Sequence, residues 1–168
     1  EDGIRVLIVT GVQTCALPIV PNYFIGVADT PMDPDDGWQP HGLLKKLAAG
    51  AEFAQTQFCF DMELLGRYLA RLQDFDIPGR LPLLIGLSPL ASAQQAIWMR
   101  ENLFGTIIPD GLIARLEAAG DPGAEGRKIC IELMQALHGM PGIAGVHLMG
   151  HEAEGRIAET LREGDFGI

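Results

Sequence analysis

Gln57 ends an apolar, β-prone run, Phe53 to Thr56, and a primary amide at a strand end donates and accepts hydrogen bonds at once. Phe58 and Phe60 bracket that point, where an aromatic face could stack on a flat ring or simply pack in the core. Lys45 and Lys46 are adjacent cations in a helical segment, suited to an anionic group or to a solvated face. Asp33, Asp35 and Asp36 offer oxygen ligands, but their spacing does not match a calcium loop, so they read as a solvated turn. His147 and His151 are four residues apart, a spacing that joins two imidazoles only on a helix. A strand-to-loop transition falls between them, so no metal pair is expected. The three cysteines, Cys15, Cys59 and Cys130, are too few and too irregular for a disulfide framework or a zinc site. Cys59 has no His near it in sequence and reads as a buried apolar residue.

The elements that must position these groups alternate strand and helix, which argues for parallel strands joined by helical crossovers. Strands are expected at Arg5 to Val9, Tyr23 to Ala28, Phe53 to Thr56, Leu83 to Gly86 and Gly145 to Leu148. Their apolar runs are continuous, as in strands buried on both faces. Helical periodicity covers Pro40 to Ala49, Met62 to Asp74 behind an Asp61 cap, Ser92 to Asn102, Asp110 to Ala119, Pro122 to His138 behind an Asp121 cap, and Glu152 to Arg162. The Pro-, Asp- and Gly-rich stretch Thr30 to Pro40 is a long loop after a strand, on the face where an α/β barrel carries its chemistry.

Composition bounds the function. A net charge of −10 argues against nucleic acid, which needs clustered Lys and Arg. No apolar run approaches the roughly 20 residues that span a bilayer, so neither a membrane nor a secretory route is indicated and a cytoplasmic location is the default. At 168 residues the chain reads as one domain, short of the about 250 typical of a complete eight-stranded barrel.

Four segments in order resemble the methylenetetrahydrofolate reductase family. They are Ala49-Gly50-Ala51 with Thr56, Gln57, Phe60 and Asp61; Gly86-Leu87-Ser88-Pro89; Ile108-Pro109; and Gly145-Val146-His147. The resemblance implies a TIM-type (β/α)8 barrel, here incomplete, with roughly the last five strands and their helices in a single partial domain. Within it, 1–10 hold a strand, 20–162 the later strands and helices, and 163–168 a tail. It implies hydride transfer from NAD(P)H through FAD to 5,10-methylenetetrahydrofolate, with Gln57 and Phe60 toward substrate and with Lys46, Lys45, Ala28 and Asp29 toward FAD. An amide such as Gln57 suits the edge of a pterin or nicotinamide. The family's catalytic glutamate would precede Glu1, so no catalytic residue is assigned, and homo-oligomerisation is expected of the full-length protein. The family's Asn-Arg pair after the last strand is not reproduced by Gly150, His151 and Glu152.

Residues Gly11 to Ile19, GVQTCALPI, resemble one reading frame of a sequencing-adapter oligonucleotide. Their flanks resemble two family strands, so the intervening piece looks replaced, and the segment is kept out of fold reasoning. Two other readings stay open: a non-catalytic folate-binding half-barrel that acts with a partner chain, and a flavin-free barrel enzyme acting on a pterin. Missing strands would leave the sheet open, with negligible activity expected of the chain alone.

Overall fold

A computed structural model describes residues 23–166. Four strands, β1 (Gly26–Asp29), β2 (Phe53–Phe58), β3 (Leu83–Leu87) and β4 (Ile143–Leu148), form one parallel sheet in the order β1-β2-β3-β4. Each strand lies beside its successor in sequence. Right-handed crossovers that never reverse direction put the connecting helices on one face, as in a barrel wall, whereas a doubly wound sheet reverses at a switch point. The helices are α1 (His41–Ala48), α2 (Met62–Gln73), α3 (Ile77–Arg80), α4 (Ala93–Asn102), α5 (Asp110–Ala118), α6 (Pro122–His138) and α7 (Glu154–Glu163).

Local chemistry explains the boundaries. Asp61, Ser92 and Asp121 each accept a hydrogen bond from the backbone N–H three residues on, Leu64, Gln95 and Ala124, at 2.9–3.1 Å. Pro122 opens α6, where its missing N–H costs nothing. The short helix α3 was not expected from sequence: it holds Pro78 and follows Asp76, whose φ of 51° is left-handed. One apolar core lies between sheet and helices, built on Ala54, Leu83, Ile85 and Leu87 from the strands and on Leu65, Leu72, Leu116 and Ile129 from the helices, all essentially inaccessible. Each such leucine or isoleucine contributes about 1.5–3 kcal/mol on burial.

Only β3, with Leu83, Ile85, Gly86 and Leu87 buried, is enclosed on both faces as the sequence suggested; the other three strands are not, which corrects that expectation. Along β2, Ala54, Thr56 and Phe58 are buried while Phe53, Gln55 and Gln57 are half-exposed, and β1 and β4 are at most half-buried. Outside β3, only the helix-covered face is dry. Strand β2 also runs two residues past Thr56, and β4 starts two before Gly145. Of the N-terminal expectations, the strand at Arg5 to Val9 and the adapter-like segment 11–19 lie outside the described residues. No helix among those described is long and apolar enough to cross a membrane.

The Thr30 to Pro40 loop is pinned to α2. Arg67 donates to both carboxylate oxygens of Asp33 at 2.8 and 2.7 Å, and Arg71 donates to the carbonyls of Trp38 and Asp36. Asp33 therefore anchors the loop, and no group of three or more His, Cys, Asp or Glu among the described residues is arranged to hold a metal ion.

Candidate functional site

The half-exposed face of the sheet mixes small and polar side chains with Phe53, whose ring covers Gly26, and Leu84. The register places Gly26 beside Phe53, Ala28 beside Gln55, Leu84 beside Gly145 and Gly86 beside His147. Small residues leave room above the strands, and a groove of about 470 Å³ forms at their C-terminal ends. Gln55, Gln57, Phe104, His147 and Met149 line it, with Ala28, Asp29 and Thr30 at its rim. The same three rim residues also line a second groove of about 310 Å³, walled by Trp38, His41, Lys46 and Tyr68 at the start of α1. The two form one continuous surface across the end of β1.

A bulge in β2 aims Gln57. The pairing with β3 shifts between Gln55 and Phe58, and the buried Thr56 hydroxyl accepts the Gly86 N–H at 2.9 Å while donating to the Gln57 carbonyl at 2.9 Å. A hydroxyl thus replaces a ladder carbonyl. Bulges beside active sites redirect side chains in this way. Gly86 is required here because a Cβ would lie 2.5 Å from the Thr56 carbonyl oxygen and 2.7 Å from the Met149 methyl.

Gln57 spends part of its hydrogen-bonding capacity on the protein. Its Nε2 donates to the Phe104 carbonyl at 3.1 Å, and its Oε1 accepts from the Phe58 N–H at 3.0 Å. One N–H and one oxygen acceptor site remain for a ligand. In the same groove, the His147 Nδ1 is enclosed with no hydrogen-bond partner among the described residues, and buried polar atoms of that kind call for an explanation.

In the second groove, Lys46 donates from Nζ to the Ala28 carbonyl at 2.5 Å. Asp29 is half-buried, and its Oδ2 accepts from the Tyr68 hydroxyl at 2.8 Å. Burial raises the Asp29 carboxyl above its ordinary range; bonds from Tyr68 and the Thr30 backbone, and the Lys46 charge, offset this only in part. Burial, followed by the neighbouring carboxylate, also pushes the Tyr68 phenol up. Burial raises the Cys59 thiol to about 11 and Cys130 to about 12, so neither is an activated nucleophile.

The structure brings together Gln57, Ala28, Asp29 and Lys46 and leaves out two expected residues. Phe60 is 2% exposed, stacked on Phe58 at 6.3 Å within the core. Its backbone N–H pairs with the Ile107 carbonyl beyond the strand end, which turns the ring away from both grooves. Lys45 is exposed and lines neither groove, because one helical step separates it from the face that carries Lys46. His151 is exposed in a turn. Sequence reading missed Thr56, Phe104 and the Asp29–Tyr68 pair. Only the first had a local signal, a β-branched hydroxyl next to the polar strand end. A larger depression, about 980 Å³, lies elsewhere, along the edge strand β4 between α6 and α7; its wall is mainly apolar, with Gln135, His138 and Asp165 among its lining.

The family model described as methylenetetrahydrofolate reductase matches residues 21–164. Among solved structures, an uncharacterized protein from Clostridium thermocellum, described as binding two copies of 5-methyl-5,6,7,8-tetrahydrofolic acid, superposes with a TM-score of 0.50 at 18% identity. The match covers 74% of this chain and 46% of that one, so this chain spans about half the relative's length. At that identity the likeness bears on fold alone. No curated protein matches.

Proposed function

The chain belongs to the methylenetetrahydrofolate reductase family, and from that premise we propose that it supplies the folate- and flavin-holding wall of a barrel reductase. The observation that carries this reading is the continuous pair of grooves at the C-terminal strand ends, where a parallel barrel places its chemistry. The inner-face groove takes the pterin of 5,10-methylenetetrahydrofolate, with the spare N–H and acceptor of Gln57 reading its edge. The groove at α1 takes FAD. Its residues fit: Lys46 offers a cation, the start of α1 offers unpaired N–H groups to a pyrophosphate, and the half-buried Asp29 is an acceptor for a hydroxyl. When bound, FAD would relay a hydride from NAD(P)H to the folate. Ala28 keeps the space between the two ligands open.

On this reading the remaining strands and the acid that protonates substrate come from outside the described residues, and the working protein is cytoplasmic and homo-oligomeric. A second reading, a folate-binding half-barrel without redox chemistry, draws on the structural relative, which is described as binding 5-methyl-5,6,7,8-tetrahydrofolic acid. Titration of the whole chain separates them. Uptake of FAD, seen as a shifted flavin absorbance, together with folate binding supports the reductase wall. Folate binding with no flavin uptake moves the assignment to the half-barrel, and binding of neither sinks both. Gln57→Ala is expected to weaken folate binding by about 1–3 kcal/mol and to leave FAD affinity unchanged. Unchanged folate affinity would return Gln57 to a purely structural role.

A further inference from the structure

Phe104 is the most exposed large apolar side chain among the described residues, at 88%. Its backbone is nevertheless held on both sides. Gln57 bonds its carbonyl, and the next residue, Gly105, has a φ of 74° and approaches Thr30 so closely that a Cβ would sit 2.2 Å from the Thr30 methyl. Two residues further on, the Ile107 N–H donates to the Phe58 carbonyl at 3.0 Å, tying the segment to the end of β2. Sequence patterning gives no reason for this ring, which lies past the end of α4 and outside any apolar period.

A fixed loop that holds a phenyl ring in water forgoes the gain of burying it. The ring lines the inner-face groove together with polar groups that include Gln55 and His147, whose Nδ1 has no hydrogen-bond partner among the described residues. A flat ring with nitrogen and carbonyl groups at its edge would satisfy both, because aromatic faces stack while edges hydrogen-bond. We propose that Phe104 is the stacking platform for the pterin ring of a folate bound in this groove, an inference that rests on the folate reading above. Gln57 then has a second task. By holding the Phe104 carbonyl, it keeps the platform over the groove.

The test uses the whole chain, titrated calorimetrically with 5-methyltetrahydrofolate and separately with FAD, in wild type, Phe104→Ala and Phe104→Tyr. Because the ring is exposed and the Gln57 bond is to backbone, the variants should melt with wild type. Phe104→Ala is expected to weaken folate about ten-fold or more, with FAD unchanged, and Phe104→Tyr to retain folate affinity. Equal folate affinity in Phe104→Ala, or a loss confined to FAD, overturns the platform while wild-type folate binding stands. A wild-type chain that binds no folate overturns the functional reading, and the platform with it.

Discussion

The two faces of the sheet divide the labour of the molecule. On the helix-covered face, Ala54, Phe58, Leu83, Ile85 and Leu87 are each at most 6% exposed and interlock with helix side chains. On the other, Gly26, Ala28, Gln55, Gln57, Gly145 and His147 remain accessible and are small or polar. The alternation of a strand means that one step along the chain crosses from stability to chemistry. Thr56 and Gln57 are such neighbours. The buried hydroxyl shapes the ladder, and the next residue faces a ligand groove. The comparison teaches that the open face, with the proposed site, is held by packing on the opposite face, so damage to one face should reach the other in only one direction.

The largest expected effect lies on the packed side. Gly126 in α6 docks against the backbone after β3, and a Cβ there would lie 1.7 Å from the Leu90 carbonyl oxygen. Gly126→Ala forces the helix off its seat and should cost about 3 kcal/mol or more, read as a lower midpoint in thermal or denaturant melts. A variant as stable as wild type would mean that the helical layer is not tightly seated.

Thr56 sits at the boundary between the faces and sharpens the comparison. Thr56→Val keeps the shape but leaves the Gly86 N–H without its acceptor, which should cost about 1–3 kcal/mol and, by relaxing the bulge, also weaken folate binding. Thr56→Ser should restore both. Loss of stability with unchanged folate affinity would detach the bulge from the site.

The smallest effect has the opposite sign. Because burial raises the Asp29 carboxyl from its ordinary value of 3.8, the folded chain holds this proton more firmly than the unfolded chain does. Its contribution to stability is therefore greatest below that value and falls as pH rises through the folded pKa. Asp29→Asn keeps an acceptor for Tyr68 and removes the buried charge, so it should melt slightly higher at neutral pH, with the gain disappearing in acid. A lower melting point at neutral pH would make Asp29 a structural residue of the packed kind.

The functional face was only partly legible before the structure. Gln57 was visible because a polar amide interrupts an apolar run at a strand end, and Lys46 only through the family resemblance, since a lysine pair on an amphipathic helix by itself reads as a solvated face. Phe60 was misread since its sequence position, two residues past a strand, does not reveal which way the chain turns. The pairing of its N–H with Ile107 settled that. Phe104 was invisible because a single aromatic in a loop has no periodicity.

The alternation of elements, the parallel class, the helix caps at Asp61 and Asp121, and the family's pattern were legible in the sequence alone, because each is written in short runs of neighbouring residues that need only be read in order along the chain. Tertiary structure alone decided what joins distant segments: the consecutive strand order, the bulge that ties Thr56 to Gly86, the Tyr68 bond to Asp29 across 39 positions, and the Gln57 bond to Phe104 across 47. Local propensity acts through neighbouring backbone torsions. These long-range partners meet only when hydrophobic burial folds the helices onto one side of the sheet and leaves the other side largely to small and polar residues.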